Sequence, residues 1–153
     1  MTLSELRELT RLYTRDTNSY LFTESQIDLF LNQAINRLQQ AYKGFQGMKK
    51  LRDSMDKVNI LPEHYQYMLA LFASSRLFDI DERFYEGVEK RNEFEQVLED
   101  LISEIQSGNI ELTNDDGTAI EDSNTYIEYI KDEYFNFNKY KDDDLYDEVD
   151  ENV

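Results

Sequence analysis

Residues 23–43 read TESQIDLFLNQAINRLQQAYK, and their spacing decides the fold class. Thr23 and Gln26 stand three apart ahead of an apolar run, the pattern of a capping box, in which each side chain satisfies an amide at the helix start. Ile27, Phe30, Leu31, Ala34, Ile35, Leu38 and Ala41 then recur at intervals of three and four. That period marks one face of an α-helix, running to about Lys43, and not the alternation of a strand. A single amphipathic helix cannot bury its own stripe, so the flanking sequence must supply partners.

Toward the N-terminus, Thr2 and Glu5 repeat the capping box ahead of Leu3, Leu6, Leu9 and Leu12, with Tyr13 beside them. A short helix to about Tyr13 is expected, broken by the polar residues 15–22. Toward the C-terminus, residues 44–60 form a connector with two glycines and a local excess of positive charge. There Lys43, Lys49, Lys50, Arg52 and Lys57 outweigh Asp53 and Asp56. This basic connector could grip the acidic surface of a neighbour or a nucleic acid, or be an ordinary mobile loop.

Pro62 suits a first helical turn and opens a third helix that is expected to reach about Phe78. Tyr65, Tyr67, Met68, Leu69, Ala70, Leu71, Phe72, Ala73, Leu77 and Phe78 cover almost its whole circumference. A helix apolar all round must be buried on all sides. Three neighbours in one small protomer would hardly enclose it, so a second subunit is expected to cover the rest through Tyr67, Leu71 and Phe78. Past a corner at residues 79–81, Phe84, Val88, Phe94, Val97, Leu98, Leu101, Ile102 and Ile105 stripe a fourth helix to about Ser107, stopped by Gly108. Residues 110–113 and 118–120 flank Asn114-Asp115-Asp116-Gly117, a hairpin signal. The expected fold is all-α: a small bundle of about four helices over residues 1–108, a short β-hairpin after the last helix, and an extended acidic C-terminal arm over 109–153.

The formal charge is −17, with 13 Lys/Arg against 18 Asp/Glu through Gly108 and three lysines against 15 Asp/Glu beyond it. Such acidity disfavours phosphate-backbone binding, which needs clustered cations, and an anionic membrane surface. The chain has no cysteine, which excludes disulfides and thiolate metal sites and fits a reducing compartment. MTLSELREL lacks the basic and apolar regions of a signal peptide. No apolar run approaches the roughly 20 residues that span a bilayer. A soluble, intracellular protein is expected.

Catalytic patterns are missing. His64 is the only histidine, and beside Glu63 in a first helical turn it reads as a partly exposed structural residue. Carboxylate pairs abound at this acidity and single out nothing without a pocket. Neither G-x-G-x-x-G nor G-x-x-x-x-G-K-[ST] occurs. Asp79-Ile80-Asp81 opens like a calcium loop, but Arg83 falls where an oxygen ligand belongs. Asp142-Asp143-Asp144 lacks the mid-loop glycine and closing glutamate. Both read as solvated acidic faces. No enzymatic role, metal or cofactor is expected.

The arm combines acidity with Tyr126, Ile127, Tyr129, Ile130, Tyr134, Phe135, Phe137, Tyr140 and Tyr146. Segments that never order are usually poor in such residues. The combination fits an arm that stays soluble alone and is ordered on a partner; folding back onto the bundle is the other reading.

In layout, the chain from about Leu3 to Gly108 resembles the head–tail connector proteins of tailed bacteriophages, also called adaptor or head-completion proteins. The resemblance rests on a short opening helix, LSELRELTRLY, then the capped helix TESQIDLFLNQAINRLQQAY. A variable connector, the apolar PEHYQYMLALFASSRLFD and the long FYEGVEKRNEFEQVLEDLISEIQSG complete it. The long acidic arm departs from short members. The resemblance implies a ring of about a dozen subunits under the portal protein, closed by a head-to-tail interface. It also implies a C-terminal arm that binds the portal, a stopper or tail-completion protein as the next partner, and genomic DNA passing through a negative channel without specific binding. Two other classes remain open on the sequence: an acidic DNA mimic that inhibits a host nucleic-acid enzyme, and a phage assembly chaperone.

Overall fold

The structure, a computed structural model, describes residues 1–120. It contains α1 (Leu3–Thr14), α2 (Glu24–Ala41), α3 (Met68–Ile80) and α4 (Phe84–Gln106), with 3-10 turns at Lys43–Phe45 and Glu63–Tyr65. Among the described residues there is no strand, and the fold is a small all-α bundle. No helix among them is long and apolar enough to cross a membrane.

Both expected capping boxes are formed. The Thr2 amide donates to Glu5 Oε2 at 2.6 Å and the Glu5 amide donates to Thr2 Oγ1 at 3.2 Å. The same exchange joins Thr23 and Gln26 at 2.9 and 3.2 Å. The backbone hydrogen bond from Thr2 holds the Glu5 carboxyl below the usual carboxylate range, and the nearby Lys57 adds to it. Helix α1 ends where Arg15 turns left-handed, at φ 60°.

Helix α3 opens at Met68 and not at Pro62. Pro62 is extended, at ψ 141°, and leads first into the 3-10 turn. Gln66 then folds back: its Nε2 donates to the Leu61 carbonyl at 2.9 Å, and its Oε1 accepts from the Met1 terminal ammonium. Only past Tyr67 do the bonds lengthen to the four-residue step of an α-helix, starting with the Leu71 amide on the Tyr67 carbonyl at 3.3 Å.

Helix α3 is the hub, and α1, α2 and α4 all pack against it. Met68, Leu69, Ala70, Ala73, Ser74, Ser75 and Leu77 are fully buried, and Leu71 and Phe78 are each 3% exposed. One chain therefore encloses the helix, and no second subunit is needed to cover it. Phe45, Met48, Leu51 and Val58, on the expected connector, join the same core with Tyr42 and Leu61 at its two ends and supply the wall that three helices alone lack. Of the expected subunit contacts, Leu71 and Phe78 are interior and Tyr67 is half-buried.

Helix α4 comes close to α3 at Gly87. A methyl there would lie 2.6 Å from Asp79 Oδ1 and 3.1 Å from the Ser75 carbonyl oxygen. Because Arg91 holds the Asp79 carboxylate at 2.6 Å, that neighbour cannot swing away freely. The buried stripe of α4 is Gly87, Phe94, Leu98, Leu101 and Ile105. Phe84 and Val88, expected on it, point roughly 60° and 100° to one side of Gly87 by helical geometry and are 60% and 47% exposed.

The bundle continues past Gly108. Leu112 is fully buried in the main core, and it packs so closely that a methyl on Gly44 would lie 2.8 Å from its Cδ1. The expected hairpin is reduced to one antiparallel bridge, Thr113 with Ala119. The Asn114 amide on the Thr118 carbonyl at 2.8 Å and the Ile120 amide on the Leu112 carbonyl at 2.9 Å support it. Beyond Gly108, Leu112 thus packs in the core, with Ile110 and Ile120 partly buried against it. A chain ending at Gly108 should be less stable than one ending at Ile120 by about 2–5 kcal/mol, the range for deleting a buried leucine side chain. Urea unfolding of the two chains measures it, and equal midpoints would show that Leu112 contributes nothing to the core.

Candidate interaction surfaces

The connector between α2 and α3 is an ordered structure. The Leu3 amide donates to the Asp56 carbonyl at 2.8 Å, Ser4 to Ser54 at 3.0 Å, and Val58 to Met1 at 3.1 Å, which laces the loop to the start of α1. From α2, the Asn32 side chain grips both backbone groups of Leu51, accepting from its amide and donating to its carbonyl at 2.9 Å each. The Asp56 carboxylate accepts the amides of Asp53 and Arg52 at 2.9 and 2.7 Å. Those two bonds, Asp53's first, hold its pKa below the ordinary value.

Met48, Leu51 and Val58 anchor the loop inward, which leaves Lys49, Lys50, Arg52 and Lys57 exposed on its outer side. Lys49 pairs with Asp115 on the 114–117 turn, so the end of the described chain lies against the loop. Asp115 titrates below its ordinary value chiefly through that bond. Among the described residues no ion pair holds Lys50, Arg52 or Lys57. By contrast Arg7, Arg11, Arg37, Arg83, Lys90 and Arg91 are all paired.

A second surface lies at the α3–α4 corner. Ile80, Phe84, Tyr85 and Val88 are each about half or more exposed, Tyr85 at 82%. An Arg83 guanidinium donates to the Thr14 carbonyl at 3.3 Å, which ties this corner to the end of α1. Residues 15–22 leave from that end and carry exposed Tyr20 and Leu21. Singly exposed apolar residues are ordinary, whereas a contiguous group points to a contact surface.

What shapes residues 15–22 is Asp16, which periodicity gives no means of finding. Its carboxylate is buried and accepts the amides of Tyr20, Leu21 and Phe22 at 2.9, 3.1 and 3.2 Å. It also pairs with Arg11 at 2.7 Å. The only legible signal was an aspartate following directly on a helix end, where Asx-type turns form.

Catalytic geometry does not assemble around His64, an exposed ring 4.5 Å from that of Tyr65. Asp79 and Asp81 are paired with Arg91 and Arg83, and Asp142-Asp143-Asp144 lies outside the described residues. Among the described residues no group of three or more His, Asp or Glu could hold a metal. A groove of about 500 Å³ runs along α1, lined by Glu5, Glu8, Leu9, Arg11 and Leu12 among others. Met1 and Thr17 complete its lining. The arm residues Tyr126, Ile127, Tyr129, Ile130, Tyr134, Phe135, Phe137, Tyr140 and Tyr146 also lie outside the described residues. The chain matches no protein-family model, no curated protein and no solved structure.

Proposed function

We propose that the chain is a structural virion protein, a head–tail connector whose ring extends the DNA channel beneath a portal and joins the capsid to a tail or stopper. The observation that carries this reading is the order of parts. A short helix, a capped helix, a variable connector, an apolar helix and a long helix follow one another as in the proteins the sequence resembles. Because α3 is enclosed by its own chain, subunit contacts fall instead to the apolar corner of Ile80, Phe84, Tyr85 and Val88. A corner on one side of the subunit that meets a different surface on the next makes a head-to-tail contact, which closes into a ring when its rotation divides the circle. The acidic surface repels DNA phosphates and lets the duplex pass. The aromatic arm supplies portal contacts, since buried aromatic residues commonly dominate interface energy.

Electron microscopy of the purified chain, alone and with a portal protein, tests the reading. Rings seen end-on, and ring stoichiometry in finished particles, are the expected results. A chain that stays monomeric with portal present and is missing from particles would refute it. Tight, salt-sensitive binding to a basic nucleic-acid enzyme would then favour the DNA mimic.

A further inference from the structure

Residues 1–120 carry 13 Lys/Arg and 21 Asp/Glu, a net of −8, and residues 121–153 carry three lysines and 12 Asp/Glu, a net of −9. In so acidic a molecule, ion pairs should consume the cations, and Arg7, Arg11, Arg37, Lys49, Arg83, Lys90 and Arg91 are held in this way. Three cations without such a pair are neighbours in the chain. Lys50, Arg52 and Lys57 lie within eight residues of one ordered loop, exposed and without an ion pair among the described residues. Asp56 attracts Arg52 and Glu5 attracts Lys57 at longer range, but both carboxylates spend their hydrogen bonds on backbone amides and close no ion pair with the loop cations.

The loop is held in shape by Asn32, by the Leu3 and Ser4 amides and by its buried leucine and methionine, so the three cations are displayed on a fixed frame. The chain leaves the bundle beside it. The Lys49–Asp115 pair sets the 114–117 turn against the same loop, and residues 121–153 begin three residues after that turn, where the Ile120 amide is held on the Leu112 carbonyl.

We propose that the acidic segment 121–153 docks in cis on the Lys50–Arg52–Lys57 face of its own chain. Each exposed ion pair contributes little alone, and a free peptide of this charge would bind such a face weakly. Attachment at Ile120 changes that. A short tether gives an effective concentration in the millimolar range, enough to populate a weak multivalent contact within one molecule. The contact is salt-labile, because exposed pairs are screened within about 8–10 Å at ordinary ionic strength. It parks the segment reversibly, and a partner with a denser cationic or aromatic-binding surface takes it over. None of this depends on the connector reading.

Zero-length carbodiimide cross-linking of the full chain tests the proposal, since it joins a lysine amine only to a carboxylate in contact. An equal mixture of normal and ¹⁵N-labelled protein separates contacts within a chain from contacts between copies. Peptide mass spectrometry should find Lys50 and Lys57 joined to carboxylates of residues 121–153 in isotopically unmixed pairs. These products should be lost at high salt and in the variant Lys50→Glu/Arg52→Glu/Lys57→Glu, whose circular dichroism should match that of the parent. Lys90, on α4 and paired with Glu93, is the internal control and should give no tail product. Isotopically mixed pairs would make a second copy the occupant and overturn the proposal. So would tail products spread equally over Lys90, or displacement of the products by a short DNA duplex at low salt. Absence of rings in the microscope would leave these products unchanged, so the two readings fail separately.

Discussion

Leu71→Asp is expected to unfold the bundle, with loss of most far-ultraviolet helical signal, and not to release a folded subunit from an assembly. Leu71 is 3% exposed on the helix against which every other helix packs. A carboxylate placed there finds no cation among the buried residues described, whose polar members are Thr10, Thr14, Asp16, Gln66, Ser74 and Ser75. Burying an unpaired polar or charged group costs several kcal/mol, and the lost leucine contact adds about 2–5 kcal/mol. Together these rival the whole stability of a small domain, about 5–15 kcal/mol. The comparison is Tyr85→Asp, at a position 82% exposed. It should leave the melting temperature within a few degrees, because surface changes usually stay within about 0.5 kcal/mol, while removing any association that uses the corner. Thermal melts of the two variants decide the matter. A folded Leu71→Asp protein with the parent melting temperature would mean that α3 is not central.

That contrast shows where the sequence was readable. Caps and periodicity are local, so α1, α2 and most of α4 were legible from Thr2–Glu5, Thr23–Gln26 and the spacing of Phe94, Leu98, Leu101 and Ile105. The all-round apolarity of α3 correctly announced burial, but it could not say by what. The missing cover came from Tyr42, Phe45, Met48, Leu51, Val58 and Leu61, spaced without a period along a stretch rich in glycine and lysine. Leu112 was hidden likewise, one leucine beyond a helix stop. Tertiary contacts made by irregular backbone leave no repeat to read. The exposure of Phe84 and Val88 was obscured for the opposite reason: they fit the helical period, yet the stripe that meets α3 is centred on Gly87, a residue with no side chain to mark it. The basic loop was legible as composition only, because its fixed shape depends on Asn32 and on the N-terminal backbone, which are far from it in sequence.

The second large effect is expected at Asp16, the least legible of these positions. Asp16→Ala should destabilise the chain by about 2–4 kcal/mol, the cost of leaving hydrogen-bond partners of a buried charge unpaired. Three backbone amides and the Arg11 guanidinium lose their acceptor at once, and Phe22, 4% exposed, loses the bond that seats it. At roughly 2–4 °C per kcal/mol for a domain of this size, the melting temperature should fall by roughly 10 °C. Asp16→Asn separates charge from shape. An asparagine keeps one acceptor for the amides but turns its own donors toward them and no longer neutralises Arg11, so a smaller loss is expected. In a double-mutant cycle with Arg11→Ala the two sites should couple, because they share one network. Additive losses would show that the ion pair contributes nothing and that the amide bonds alone hold the loop. The consequence reaches the surface: residues 16–22, which follow the Thr14 carbonyl held by Arg83, carry Tyr20 and Leu21 outward. Asp16→Ala should therefore weaken association through the corner even at temperatures where the bundle remains folded, which Tyr20→Ser, with Asp16 intact, would reproduce without the loss of stability.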